Sequence, residues 1–294
     1  MNRLSITTGD DARTALCEAI GRACDSVDAE LYSLDDPAVT QALNAAASRG
    51  VRVRVVIEGD VHRFERPARH EPSDARVRGG LCAGVDVIVS RRPNPLVHAK
   101  AAVIDDAVAL FGTGNMRSSG FRAPGEVLVT DDDRTDVDAV EAKIAAAADG
   151  VAVRSPLRAA LAAMLASDRP ARIASEDLSD PRIVRALRDR ALRGVRDRIL
   201  VGPHQSKTAR RAIVSLLAAG ADVRVPRHGY MHEKFVDAGD RIYVGSANLT
   251  FDGLDEANEV GIVAPADEFG SDAARLRDDF DGMWADAVPP HFHT

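Results

Sequence analysis

Two periodicities alternate along this chain. Short runs of β-branched and aliphatic residues are separated by stretches in which apolar residues recur every third or fourth position. Residues 10–25 place Ala12, Leu16, Ile20 and Ala23 on one helical face. Residues 27–34 read as a strand, and 37–49 as a helix capped by Asp35 or Asp36 and stopped by Gly50. Residues 51–57 form a β-branched strand, 58–84 are irregular, and 85–90 resume as a strand. Strands at 97–104 and 107–111 flank an Asp105-Asp106 turn, followed by a strand at 126–130 and a helix at 137–148. The order then recurs. Helices are expected at 155–166, 181–193, 206–219 and 267–284, and strands at 171–175, 198–201, 222–225 and 259–263, with a hairpin at 232–244. Strands alternating with helices argue for α/β halves, each a mostly parallel mixed sheet covered by helices. The boundary is expected near residue 150, giving halves 1–150 and 151–294.

The recurrence extends to individual residues. His98-Ala99-Lys100 is followed by glycine at +14, asparagine at +17 and glutamate at +28, which are Gly112, Asn115 and Glu126. From His232-Glu233-Lys234 the same types come at +13, +16 and +27, as Gly245, Asn248 and Glu259. One residue lost between Lys234 and Gly245 accounts for every offset. A period this long means two domain-sized halves rather than a solenoid. Composition sharpens the point, because the chain has four lysines against 34 arginines and two of the four stand in these triplets.

Residues i and i+2 of a strand share a face, so each triplet presents an imidazole beside an ammonium. The Gly-[Ser/Thr]-x-Asn corners add Thr113 and Ser246, and small residues there are expected to let backbone amides and hydroxyls approach a ligand closely. Two such sets facing one space would receive a tetrahedral phosphoryl group, with cations for its oxygens and histidines in line. One imidazole would attack phosphorus and the other would shuttle the proton of the leaving and incoming oxygens. Glu126 and Glu259 suit the task of fixing the histidine tautomers. No magnesium ligands, metal site or cofactor is implied.

The pattern H-x-K-x(4)-D-x(6)-G-[ST]-x-N, present twice, resembles the phospholipase D superfamily. The first copy matches throughout, including Asp105. The second departs at the aspartate, with Asp237 and Asp240 flanking Ala238-Gly239. The resemblance covers essentially the whole chain. It implies a pseudo-twofold duplicated α/β/α sandwich with one active site between the halves and a metal-independent reaction. It further implies His98 as nucleophile and His232 as general acid. Lys100, Lys234, Asn115 and Asn248 would bind the phosphoryl group, supported by Thr113, Ser246, Gly112 and Gly245. The motif aspartate would be structural.

Bulk properties narrow the substrate only partly. At 294 residues and 45% hydrophobic content the chain can bury a core. Its net charge of −7 repels nucleic acid and anionic lipid alike at long range, so any polyanion site would need a local basic patch. The arginine-rich segment at 62–70, with Arg63, Arg66 and Arg69, is the candidate rim, extended by Arg76, Arg78, Arg91 and Arg92. Lys207, Arg210 and Arg211 follow a Gly202-Pro203 turn at a helix start, a setting that suits phosphate. Aromatic content of 4% leaves few residues for a membrane-interface belt or for base stacking. Cys17, Cys24 and Cys82 form no metal spacing or disulfide framework. The N-terminal region lacks an apolar signal core and no segment reaches membrane-span length, so the expected location is cytoplasmic. The sequence reading is a phosphodiesterase acting through phosphohistidine, with DNA or RNA as favoured substrate. A phospholipase D or cardiolipin-synthase-like phosphatidyltransferase is the alternative, and an inactive nucleic-acid-binding scaffold the second. Both half-sites lie in one chain, so one monomer suffices for a site.

Overall fold

The computed structural model describes residues 3–60, 79–123, 125–151, 153 and 156–291. Two seven-stranded sheets organise it. The first half contributes β1 (Leu4–Thr8), α1 (Gly9–Arg22), β2 (Ser26–Leu31), α2 (Pro37–Ser48), β3 (Arg52–Glu58) and β4 (Val85–Ser90). It continues with β5 (Lys100–Ile104), β6 (Val108–Gly112), β7 (Val127–Asp131) and α3 (Arg134–Ala148). The second half runs α4 (Leu157–Met164), β8 (Arg172–Ser175), α5 (Pro181–Leu192), β9 (Arg198–Val201), α6 (Lys207–Ala218) and β10 (Asp222–Pro226). It closes with β11 (Lys234–Asp237), β12 (Arg241–Gly245), β13 (Gly261–Pro265), α7 (Ser271–Asp286) and β14 (Ala287–Val288).

The strand orders are β1-β7-β6-β5-β2-β3-β4 and β13-β12-β11-β8-β9-β10-β14. Without β1 and β14 the two orders are the same. The sheets are mixed, with parallel pairing confined to β2-β3-β4 and β8-β9-β10. The rest of each sheet is antiparallel, and within it short turns join β5 to β6 and β11 to β12. β1 was not anticipated; it pairs antiparallel with β7 at an edge. Its five residues form too short a run for periodicity to distinguish from a loop.

Local signals explain the helix starts. Asp36 accepts from the Ala38 and Val39 amides, and Asp180 from those of Arg182 and Ile183. Each cap is followed by proline at the first helical position, where its missing N–H costs nothing. The acidic run before α3 supplies its cap, as Asp133 accepts from Thr135 and Asp136.

Burial defines five layers. Leu16, Ile20, Val39 and Leu43 of α1 and α2 pack on the outer face of the first sheet. Leu161, Ile183, Leu187, Ile213 and Leu216 cover the outer face of the second. The inner faces share one continuous core that joins Val137 and Ile144 of α3, Phe111 and Val129 of the first sheet, Phe235 and Val244 of the second, and Phe280 and Trp284 of α7. The halves are thus held together by the same apolar burial that holds each one.

Candidate active site

The hairpin turns locate the lost residue. In the first half Ile104 faces Val108 across Asp105-Asp106-Ala107, while in the second Ala238 pairs with Arg241 across Gly239-Asp240 alone. Gly239 takes φ 95°, a left-handed conformation that a two-residue hairpin turn demands. The aspartates consequently do different work. Asp105 accepts from the amides of Cys24, Asp25 and Ser26, tying the turn to the start of β2. Those bonds hold its carboxyl below the usual range against the opposing effect of burial. Asp237 is buried between Arg172 at 3.1 Å and Arg277 at 2.9 Å. Asp240 lies in the exposed turn, where its carbonyl accepts from the Ala266 amide.

His98 stands just before β5 and His232 just before β11, and the sheets bring the two triplets to one cleft. The glutamates are exchanged between halves. His98 Nδ1 donates to Glu259 Oε1 at 2.7 Å, and His232 Nδ1 lies 2.9 Å from Glu126 Oε1. Backbone pairing creates the first contact: the His98 amide donates to the Asn258 carbonyl and the Asn258 amide to Leu96. Burial would raise both carboxyls, but the histidines and neighbouring lysines outweigh it and hold Glu126 and Glu259 below the ordinary value. Burial lowers His98, opposed by Glu259 and reinforced by Lys100.

Thr113 and Ser246 do not face the cleft as expected. Thr113 Oγ1 donates to Glu126 Oε2 at 2.5 Å and accepts from the Val127 amide. Ser246 Oγ donates to Glu259 Oε2 at 2.5 Å and accepts from Val260. Each hydroxyl braces the glutamate that holds the other half's histidine. Gly112 and Gly245 also serve packing rather than ligand approach. A Cβ on Gly112 would lie 2.0 Å from the Val127 carbonyl oxygen, and one on Gly245 would lie 2.5 Å from the Gly261 Cα.

The ammoniums are buried. Lys100 Nζ donates to the His98 carbonyl and stands 5.2 Å from the Tyr32 ring centroid. Burial brings its pKa down to about 7, with Glu259 opposing and Lys234 adding repulsion. Lys234 Nζ donates to the His232 carbonyl at 2.5 Å. A third lysine, Lys143 of α3, donates to the Glu259 carbonyl at 2.6 Å. Asn115 Oδ1 is buried with no hydrogen-bond partner among the described residues, whereas Asn248 Nδ2 donates to Glu176 at 3.2 Å.

Three neighbours were not anticipated. Tyr32 meets the His98 ring edge-on at 4.7 Å, Tyr230 stacks on His232 at 5.9 Å, and Glu176 Oε2 lies 3.3 Å from His232 Nε2. A signal for two of them existed. Aligning the Asp36-Pro37 and Asp180-Pro181 helix starts superimposes Tyr32 on Glu176. Of the candidate rim, Arg63, Arg66, Arg69, Arg76 and Arg78 lie outside the described residues. Arg91 and Arg92 follow β4, with Arg91 Nη1 3.7 Å from Asp60, and Lys207 opens α6 in an exposed position. Both places lie beyond the carboxyl ends of the parallel strands, where α/β sheets bind ligands.

A sequence model of the family described as "Cardiolipin synthase, PLD-like domain" matches residues 16–148 and 161–284. Cardiolipin synthase A of Pseudomonas putida (strain GB-1) is 34% identical over 111 residues, 37% of this chain and 22% of that protein. The enzyme of the same name from Pseudomonas entomophila (strain L48) is 32% identical over the same shares. The aligned region is thus under a quarter of these relatives' length. Among solved structures, phosphatidylserine synthase of Haemophilus influenzae Rd KW20 superimposes with TM-score 0.69 at 14% identity, covering 97% of this chain and 87% of that one. Polyphosphate kinase of Porphyromonas gingivalis gives 0.68 at 18% identity, covering 99% and 52%. At these identities the structural likeness speaks for the fold.

Proposed function

Because the chain belongs to the phospholipase D-like family, we propose that it transfers the phosphoryl centre of a phosphodiester through a covalent phosphohistidine, without a metal. The single observation that carries this reading is the crossed pair of His–Glu contacts in one cleft, His98 with Glu259 and His232 with Glu126. Residues 1–150 and 151–294 supply one half-site each.

His98 is the nucleophile. Glu259 occupies its Nδ1 and leaves Nε2 for phosphorus, and burial favours the neutral ring that attack needs. The N–P bond forms as the ester P–O bond breaks, and His232 gives its proton to the leaving oxygen. The incoming hydroxyl then returns a proton to His232 as O–P forms and N–P breaks. Both ring nitrogens of His232 face carboxylate oxygens, Nδ1 that of Glu126 at 2.9 Å and Nε2 that of Glu176 at 3.3 Å. Lys100, Lys234, Asn115 and Asn248 hold the phosphoryl oxygens, and Thr113 and Ser246 act through the glutamates.

We favour phosphatidyl transfer as the substrate class. The family description and the cardiolipin synthase relatives support it. Among the described residues no helix is long and apolar enough to cross a membrane. The nuclease reading leaned on the arginines at 62–70, which lie outside the described residues.

The test is incubation in EDTA with phosphatidylglycerol vesicles, followed by release of glycerol and formation of cardiolipin or phosphatidic acid, and, separately, with DNA and RNA, alongside His98→Asn and His232→Asn. Lipid turnover lost in both variants is expected. Nucleic-acid cleavage lost in both variants, without lipid turnover, would replace the substrate class. Activity that EDTA abolishes would overturn the mechanism.

A further inference from the structure

The pseudo-twofold symmetry of the cleft breaks at one pair of residues. Tyr32 follows β2 beside Lys100, and Glu176 follows β8 beside Lys234, at the same place in each half. The three donors that the second half-site would offer a phosphoryl oxygen all converge on one atom of Glu176. Its Oε2 lies 3.3 Å from Lys234 Nζ, 3.3 Å from His232 Nε2 and 3.2 Å from Asn248 Nδ2. Its Oε1 accepts from the Tyr230 hydroxyl, whose ring stacks on His232. The backbone beneath is pinned, since the Glu176 carbonyl accepts from the Gly202 amide at 3.0 Å and from Gln205 Nε2 at 2.5 Å. A Cβ on Gly202 would lie 2.8 Å from that carbonyl oxygen and 3.3 Å from Glu176 Cγ, so glycine is needed for the chain to run this close.

Among the described residues the first half-site has no such occupant. Lys100 lies near the neutral Tyr32 ring, and Asn115 Oδ1 is buried without a hydrogen-bond partner among the described residues. Among the described residues the two walls of the cleft therefore differ in charge although their motifs match. Burial alone would raise the Glu176 carboxyl, but Lys234, the His232 ring and the Asn248 amide hold it down at about 2. It remains an anion across the range in which the protein is expected to work. Its side chain is 20% exposed, so the cleft reaches it.

We propose that Glu176 is a specificity-determining residue, a resident anion that fills the oxygen position formed by Lys234, His232 and Asn248. A phosphoryl group that uses this half-site must displace the carboxylate and then sit beside it. A dianionic phosphomonoester or inorganic phosphate is repelled more strongly in that position than a monoanionic phosphodiester. Glu176 thus selects diesters over monoesters and keeps free phosphate from occupying the site. The inference rests on the phosphodiester reading above, with Glu176 acting on which phosphate enters.

The test uses tungstate, a dianionic phosphate mimic, titrated by calorimetry into the full chain and into Glu176→Gln and Glu176→Tyr. The second variant restores the residue found at position 32. Hydrolysis of bis(p-nitrophenyl) phosphate is followed in parallel. Both variants should bind tungstate about tenfold tighter or more, since a fixed carboxylate no longer competes for the same donors. The KM for the diester should change by a smaller factor. Tyr230→Phe, which removes only the hydroxyl contact to Oε1, should shift tungstate affinity the same way by less. Equal tungstate affinity in the wild type and both Glu176 variants would overturn the proposal. If the wild type still hydrolyses the diester in that case, the phosphodiester reading survives. Tighter tungstate binding in variants of a protein that turns over no diester would uphold the resident anion and refute the reading it rests on.

Discussion

Glu30 sits on the inner face of β2, fully buried, with neither carboxylate oxygen hydrogen-bonded to a described residue. Burial pushes its pKa from an ordinary 4.5 to about 8, with Lys143 opposing, Glu259 adding and Lys100 opposing. The native state therefore holds a proton that the unfolded chain releases at 4.5. Stability from this group is fully present below 4.5 and is lost as pH rises towards about 8. Each pH unit within that window costs about 1.4 kcal/mol, so the step from about pH 5 to about pH 7 should cost up to about 3 kcal/mol. Lys100 does not blur this window. Its native value of about 7 and ordinary value of 10.5 leave it protonated in both states below 7, and it adds stability only as pH rises above that. Glu233 and Asp131, also raised by burial, have the same sign as Glu30 and stay in place. Glu30→Gln keeps the shape and removes the titration. Urea unfolding of both proteins at several pH values should show near-equal stability at the acid end and a growing advantage for the variant towards neutrality. Parallel curves, or a variant that loses stability equally at every pH, would refute a neutral buried Glu30.

The other predictions concern the cleft and its strands. Glu259→Gln removes the group that holds His98 and raises its basicity, so turnover should fall by about 100-fold or more and the acid limb of the pH–rate profile should move to lower pH. An unchanged profile would count against the contact. Raising pH through about 7 should weaken tungstate binding as the Lys100 ammonium is lost, and Lys100→Arg should flatten that dependence in titrations on either side of neutrality. Gly112→Ala drives a Cβ to 2.0 Å from the Val127 carbonyl oxygen, so the β6–β7 pairing must shift and the melting temperature should fall well below that of the wild type.

Periodicity and punctuation made most of the fold legible, because α2 and α5 open on Asp-Pro pairs and many strands are β-branched. The two strands outside the repeat, β1 and β14, are short edge additions whose pairing depends on distant residues. The motif residues were legible through their paired offsets, and the missing residue does lie in the turn at Gly239-Asp240. The direction of the hydroxyls was not. A Gly-Thr or Gly-Ser corner reads equally as a ligand cradle or as a brace, and only the nearness of Glu126 and Glu259 decides it. Glu176 escaped notice because it lies outside both motifs, 56 positions before His232.

The exchange of glutamates constrains how the two copies can drift apart. A change at Glu126 is felt by His232, and a change at Glu259 by His98, so neither half can specialise its own base in isolation. A duplication normally frees one copy to degenerate. On the proposed reading each copy carries the other's tautomer control, and loss of docking between them would disarm both histidines at once. Divergence is left to positions outside that exchange, such as residue 32 in one half and 176 in the other.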